Sequence, residues 1–366
     1  MVQFIGTERV RELVARITPG IFMEQLAAEI EADYRRWHVF EKSVRHATHS
    51  HDGVIELMPI SDGRFYAFKY VNGHPGNAAT GRLTVMAFGV LAEVASGYPL
   101  LLSELTLTTA LRTAATSVLA ARRMARPCSR VMALIGNGAQ SEFQAIAFYH
   151  MLGIRKLQLY DVHAEATAKL QRNLATLCLD ELEVVSCETI KEAVRGADIV
   201  TTITADKRNA TVLTPEMIRP GMHLNAVGGD CPGKTELHQK ILLRADSRIV
   251  VEYEPQSRIE GEIQQCDVDF PVTELSEVLS ERAIARASDN EVTIFDSVGF
   301  ALEDFSALRY LLRVHMEHPG ISRRIDLIPD LSNPRDLYGL LLARSGSPRS
   351  ESVAPATANE VSAWVN

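Results

Sequence analysis

The amino-acid sequence predicts an α/β fold, a doubly wound parallel sheet joined to a second, mainly antiparallel α+β domain. Three observations carry this. From Val131 onward, short apolar runs alternate with helical patterns, as successive β-α-β units require. Ahead of residue 104, apolar runs come in pairs around tight-turn sequences, as antiparallel hairpins require. Between the two lies one long run, rich in Thr and then Ala, that reads as a single helix stopped by Pro127.

In chain order, Ile21, Leu26, Ile30 and Tyr34 recur at helical spacing, which predicts a helix over 21–37 opening the first domain. Strands at 54–59 and 64–71 flank the turn Ser61-Asp62-Gly63, and 84–94 pairs across Ser96-Gly97-Tyr98-Pro99 with 100–102. The long helix covers 104–126. Strands then follow at 131–135, 157–160, 183–186, 199–203, 223–227, 248–252 and 292–295, with a helix at 305–313. The expected division is a first domain over 1–115, a second over 116–318, a return to the first over 319–344, and a disordered Ser/Pro/Ala tail over 345–366.

A chain of 366 residues suits two such domains, and its formal net charge of −8 argues against a nucleic-acid partner, which calls for a basic face. No window approaches the ~18 uninterrupted apolar residues of a membrane span, so a cytoplasmic protein is expected. Cys128, Cys178, Cys187, Cys231 and Cys266 are scattered with no C-x-x-C pair, and read as reduced thiols rather than a disulfide frame or zinc site.

The segment Val131-Met-Ala-Leu-Ile-Gly-Asn-Gly-Ala-Gln-Ser141 writes a strand, a glycine turn and a helix start. Gly136 permits the turn, and Gly138 has no side chain to keep a pyrophosphate from the backbone N–H groups beyond it. Asp161 closes the next strand, a little over the ~20 residues at which a carboxylate meets both ribose hydroxyls of an adenosine. It would repel a 2′-phosphate, so this Rossmann-type pattern favours NAD over NADP. The third motif position, Ser141, departs from Gly or Ala.

Lys69 lies on a strand face with Ala67 and Val71, Arg45 precedes the first hairpin, and Arg112 is the one cation in Thr108-Thr-Ala-Leu-Arg-Thr-Ala-Ala115. Three converging cations could hold one carboxylate by paired hydrogen bonds. Taken singly, each is more often a solvated or salt-bridged charge. Glu56, facing with Val54 and Met58, reads equally as a carboxylate in the same cleft or as a partner for Lys69.

Gly228-Gly-Asp-Cys-Pro-Gly-Lys-Thr235 satisfies the literal phosphate-loop pattern. Pro232 removes a donor, however, and Asp230 sets negative charge beside the would-be phosphates. Asp230 is better read as an acid aimed at the reactive end of a dinucleotide, with Lys234 close by. On an extended segment His49 and His51 share a face but His46 does not, and no carboxylate is placed to complete a site, so no metal site is expected; no neighbouring residue supplies a base for Cys231.

The chain resembles the ornithine cyclodeaminase/mu-crystallin family over nearly its whole length, to about Leu341. The most specific blocks include Val54-Ile-Glu-Leu-Met-Pro59, Ala67-Phe-Lys-Tyr-Val-Asn-Gly-His-Pro75, the glycine motif, the segment from His223 to Leu237, Arg258-Ile-Glu-Gly-Glu-Ile-Gln-Gln265 and Phe295-Asp-Ser-Val-Gly-Phe-Ala-Leu-Glu-Asp304. The likeness lapses at residues 172–187 and in the tail. The resemblance implies that Arg45, Lys69 and Arg112 grip a substrate carboxylate beside Val298, while Asp230 handles the proton of a distal amine, relayed with Glu56 through water. It implies an NAD site lined by Thr84, Arg112, Gly136, Gly138, Ala139, Gln140, Asp161, Thr204, Val227, Gly228, Gly229, Asp230, Lys234 and Ser297.

The implied reaction is L-ornithine to L-proline and ammonia: oxidation at Cα by NAD, ring closure by the distal amine, loss of ammonia, and return of the hydride. This would serve proline biosynthesis in a homodimer whose first domain binds substrate and dimerises. Lysine in place of ornithine, a net amino-acid dehydrogenase or ketimine reductase, and a non-catalytic dinucleotide carrier of the mu-crystallin type stay open from sequence.

Overall fold

A computed structural model describes residues 2–177, 179–205, 211–318 and 320–342, so the expected tail over 345–366 lies outside the described residues. The chain builds two sheets. In the first the order is Arg323–Ile325, Val2–Ile5, Pro99–Glu104, Val85–Glu93, Phe65–Gly73, Gly53–Ser61 and Glu41–Lys42, with His46–Ser50 also pairing Gly53–Ser61. Every pair is antiparallel except Val2–Ile5 with Pro99–Glu104.

Alternation sorts the first sheet's side chains cleanly. Val54, Glu56, Met58, Ala67, Lys69 and Val71 point inward and are buried, whereas Ile55, Leu57, Tyr66, Met86 and Phe88 emerge on the other face. Helices Pro19–Arg35, Thr106–Met124 and Ala301–Glu317 pack against one another, and the last of them also lies on the inner face of this sheet.

The second sheet is wholly parallel, in the order Glu183–Ser186, Lys156–Tyr160, Val131–Ile135, Ile199–Thr202, His223–Ala226, Val292–Asp296, Ser247–Val251 and Thr273–Glu274. Strand order reverses between Val131–Ile135 and Ile199–Thr202. That switch point opens the crevice where ligands bind in sheets of this kind.

Two expectations need correction. The long helix begins at Thr106, not 104: Glu104 ends a strand, and its carboxylate accepts the N–H groups of Leu107 at 2.9 Å and Thr108 at 3.1 Å, capping the helix from outside. The helix expected over 21–37 runs over Pro19–Arg35 and is not the first element, since strand Val2–Ile5 and helix Thr7–Ile17 precede it. Among the described residues no helix is long and apolar enough to cross a membrane.

Candidate functional site

The crevice has a nucleotide side and a seam against the first sheet. On the nucleotide side Gly136 takes φ +94, and a Cβ there would meet the Ile203 carbonyl oxygen at 2.8 Å, so only glycine serves at this turn. Its N–H donates to the Tyr160 carbonyl at 2.9 Å, bringing the first and second strand ends together. Asp161 follows, half-buried, accepting the N–H of Asn137 at 2.6 Å and of His163 at 2.8 Å. A carboxylate has about four acceptor sites, so capacity remains for hydroxyl donors.

Gly138 and Ala139 are exposed, and a Cβ on Gly138 would touch nothing in the protein. The chain's own packing therefore does not demand glycine there, and the space beside it is open. Gln140, just before helix Ser141–Ala147, has its Oε1 buried without a hydrogen bond.

The loop 228–235 is knitted into the protein rather than opened as a phosphate cradle. Gly228 N–H reaches Glu236 Oε2 at 3.1 Å, Asp230 N–H the Gly228 carbonyl at 3.1 Å, Gly233 N–H Gln264 Oε1 at 2.7 Å, and Lys234 N–H the Cys231 carbonyl at 3.2 Å. The Lys234 ammonium, buried, donates to the Thr204 carbonyl at 2.7 Å and to Asp230 Oδ1 at 3.2 Å. It fastens two loops from inside. Thr204 N–H and Ser297 hydroxyl are likewise engaged, by Glu236 at 2.8 Å and Glu252 at 2.6 Å. Val227 N–H binds the Thr202 carbonyl at 2.9 Å, and a Cβ on Gly229 would sit 2.9 Å from Glu262 Oε1. Thr84 stands before strand Val85–Glu93, where its carbonyl accepts the His74 N–H at 2.8 Å, a bond within the first sheet's hairpin.

At the seam the three cations converge. Arg45 reaches the carbonyls of Val298 at 2.8 Å and Gly299 at 2.6 Å and Glu56 Oε2 at 3.2 Å. Lys69 Nζ lies 2.7 Å from Asp304 Oδ2, and Arg112 binds Asp304 Oδ1 at 3.1 Å and Glu303 Oε2 at 2.5 Å. Glu56 is therefore the partner of Arg45, not of Lys69. Arg112 Nη2 makes no hydrogen bond to the described residues.

Crowding shapes the charges. Burial and the neighbouring Arg112 pull Lys69 down from 10.5 to about 8, against the support of Asp304. Burial opposes the charge of Arg45, but Glu260, Glu56 and Asp230 outweigh it and hold the guanidinium protonated. Burial pushes Glu260 up to about 7 against the pull of Arg45, with Glu56 and Asp230 adding to the rise.

Glu260, Glu303 and Asp304 are not among the residues the sequence pointed to, although all three stand in segments that carry the family resemblance. A local signal existed for the first: Gln256 and Glu260 are four apart on helix Glu254–Glu260, and both face Arg45, Gln256 through Oε1 at 3.3 Å from the Arg45 N–H.

The ornithine cyclodeaminase/mu-crystallin family model matches residues 7–317. The chain is 56% identical to the ornithine cyclodeaminase of Brucella suis biovar 1 (strain 1330), over 97% of this chain and 98% of that one. It superposes with TM-score 0.83 and 28% identity on a lysine cyclodeaminase solved for its recognition of L-lysine, L-ornithine and L-2,4-diamino butyric acid, covering 91% of this chain and 98% of that one. An archaeal alanine dehydrogenase dimer with bound NAD gives TM-score 0.80 at 28% identity, covering 89% and 99%. Matched by the family model over most of its length and by close relatives nearly end to end, the chain belongs to the ornithine cyclodeaminase/mu-crystallin family.

Proposed function

We propose that the chain is an NAD-dependent enzyme that converts L-ornithine to L-proline and ammonia. The observation that carries this is the seam: three buried cations face a cluster of acids directly beside the dinucleotide-type crevice. Gly138, Ala139, Gln140 and Asp161 would hold the dinucleotide, and the open space beside Gly138 leaves its backbone within reach of a pyrophosphate. Bound NAD supplies a reversible hydride acceptor at the substrate Cα, which lets a reaction without net redox change activate an amine as a leaving group.

The protein's own residues do the rest. Arg112 Nη2 and the Lys69 ammonium are the donors for the substrate α-carboxylate, anchored from behind by Glu303 and Asp304. Asp230, more than half exposed on the crevice side and steadied by Lys234, takes the proton of the distal ammonium, and Glu56 stands near through Arg45. Holding both ends of one diamino acid sets its distal nitrogen against Cα, the geometry in which intramolecular attack is fast.

The apolar outer face of the first sheet supports a homodimer. Tyr70 and Phe88 stack at 5.0 Å there, flanked by Leu57, Met86 and Ile55, each about two-fifths exposed. Phe88→Asp should yield monomers by light scattering.

The functional test is product identification. Purified protein with catalytic NAD is offered ornithine, lysine or 2,4-diaminobutyrate, and ring product and ammonia are measured. Proline with one ammonia, and ornithine favoured over lysine by about 10- to 200-fold in kcat/KM, is expected, since one methylene is worth about 1–3 kcal/mol. Stoichiometric NADH would instead mark a dehydrogenase, and absence of turnover a carrier.

A further inference from the structure

Glu260 is a buried acid that the roles above leave unused. It ends helix Glu254–Glu260 and is 4% exposed. Its Oε2 lies 3.0 Å from Arg45 Nε but off the hydrogen-bond axis, so both atoms are buried without a hydrogen bond. Neither carboxylate oxygen accepts a hydrogen bond from the described residues. The other acids nearby in the chain differ: Glu252 accepts three bonds from 297–299, and Glu262 and Asp296 each accept two backbone N–H groups. An unfilled buried oxygen is costly unless a proton or ligand occupies it.

Proton counting gives that oxygen a task. Ornithine arrives with two ammonium groups. The α-ammonium must shed a proton before hydride can leave Cα, and the distal one before its lone pair can form the new C–N bond. After ring closure the extra proton of the ring nitrogen passes to the α-amino group, which leaves as ammonia; the two held protons then return, one to turn that ammonia into ammonium and the other to the ring nitrogen once hydride has reduced the cyclic iminium to proline. Substrate and products balance, yet two protons must be held in the site between steps, and Asp230 holds one.

We propose that Glu260 holds the second proton, taking it from a substrate ammonium on its unfilled carboxylate and giving it back to the departing ammonia. This rests on the ornithine reading above. The charged groups facing it are Arg45 from the loop before strand His46–Ser50, Glu56 from strand Gly53–Ser61 and Asp230 from the loop after strand His223–Ala226. Burial first, then the two acids, against Arg45, set its titration near 7, where an acceptor can both take and release a proton at neutral pH.

The test is a pH profile of kcat/KM and kcat with L-ornithine for the NAD-loaded wild type, Glu260→Gln and Glu260→Asp, alongside NAD affinity for each. The wild type should lose kcat/KM below pH about 7. Glu260→Gln should lower kcat by about 10²–10³-fold and lose that limb, with KM and NAD affinity little changed. Glu260→Asp, which keeps the charge and the fold, should fall about tenfold with a displaced limb. If either variant keeps the wild-type limb and kcat, or raises KM alone as a mere prop for Arg45 would, the proposal is overturned. A wild type that forms no proline removes the ornithine reading and the proposal with it, whereas proline formation with an unmoved limb defeats the proposal alone.

Discussion

The acids at the carboxyl ends of the parallel strands and the acids at the seam with the first sheet are both buried, yet they are satisfied in opposite ways. Glu236, Glu252, Glu262 and Asp296 each accept at least two hydrogen bonds, most of them from backbone N–H groups of neighbouring loops. They act as staples, replacing the pairings that strands lose at their ends. At the seam the partners are side chains: Glu303 accepts from the Tyr34 hydroxyl and Arg112, Glu56 from Arg45 and Asp304 Oδ1 from Arg112, while Asp304 Oδ2 sits against Lys69 without a formed hydrogen bond and Glu260 accepts none. Fixed dipoles hold the nucleotide loops in place, whereas exchangeable cations and unfilled oxygens leave the seam able to trade partners with a zwitterionic substrate.

The largest effect should come from removing the seam's outer acid. Asp230→Asn is expected to cut kcat by about 10²–10⁴-fold, the range for a lost general base, while NAD still binds. Near-normal turnover would place the proton elsewhere and break the contrast.

Lys69→Met should raise the KM for ornithine by about 10- to 100-fold, since a hydrogen bond to a charged group contributes about 1.5–3 kcal/mol. It should also lower the stability of the fold, because Asp304 loses one of its two cations and keeps only Arg112. Thermal unfolding and steady-state kinetics on one preparation separate the two. An unchanged KM would show that the substrate carboxylate docks without Lys69.

The same lysine should leave a pH signature. With its pKa lowered to about 8, Lys69 is charged below that pH and neutral above it. Above the acid limb near 7, ornithine kcat/KM should therefore hold only up to about 8 and decline as pH rises through it. The Lys69→Met variant, with no ammonium to lose, should lack that decline, and a decline that persists in the variant would assign it to the substrate.

The smallest catalytic effect is expected from a staple. Glu262→Gln sets an NH₂ group against one of the two backbone N–H groups that Glu262 accepts, from Glu236 at 2.7 Å and Leu237 at 2.9 Å. It should lower stability by about 1–3 kcal/mol without moving the pH profile. A moved profile would mean that staples and seam titrate together.

What the sequence made legible was local. The glycine turn and Asp161 lie 25 residues apart and announce one crossover, and the buried parallel strands read directly as apolar runs. Strand Val2–Ile5 did not show, because four residues carry little pattern and its partners are Leu101–Ser103 and Arg323–Ile325, far along the chain. Helix Ala301–Glu317 was expected only at 305–313, since Glu303 and Asp304 look like loop polarity until Arg112 and Lys69 neutralise them. Glu260 is the same lesson at the site: its significance depends on Arg45, more than two hundred residues away, and on hydrogen bonds it does not make.

Ornithine carrying deuterium at Cα, turned over with catalytic NAD, tests the central claim most directly. If the crevice and seam work as one site, the label leaves Cα and comes back, and mass spectrometry should find it retained at Cα of proline with one ammonia released per ring. Proline without the label, or NADH accumulating in step with product, would contradict it.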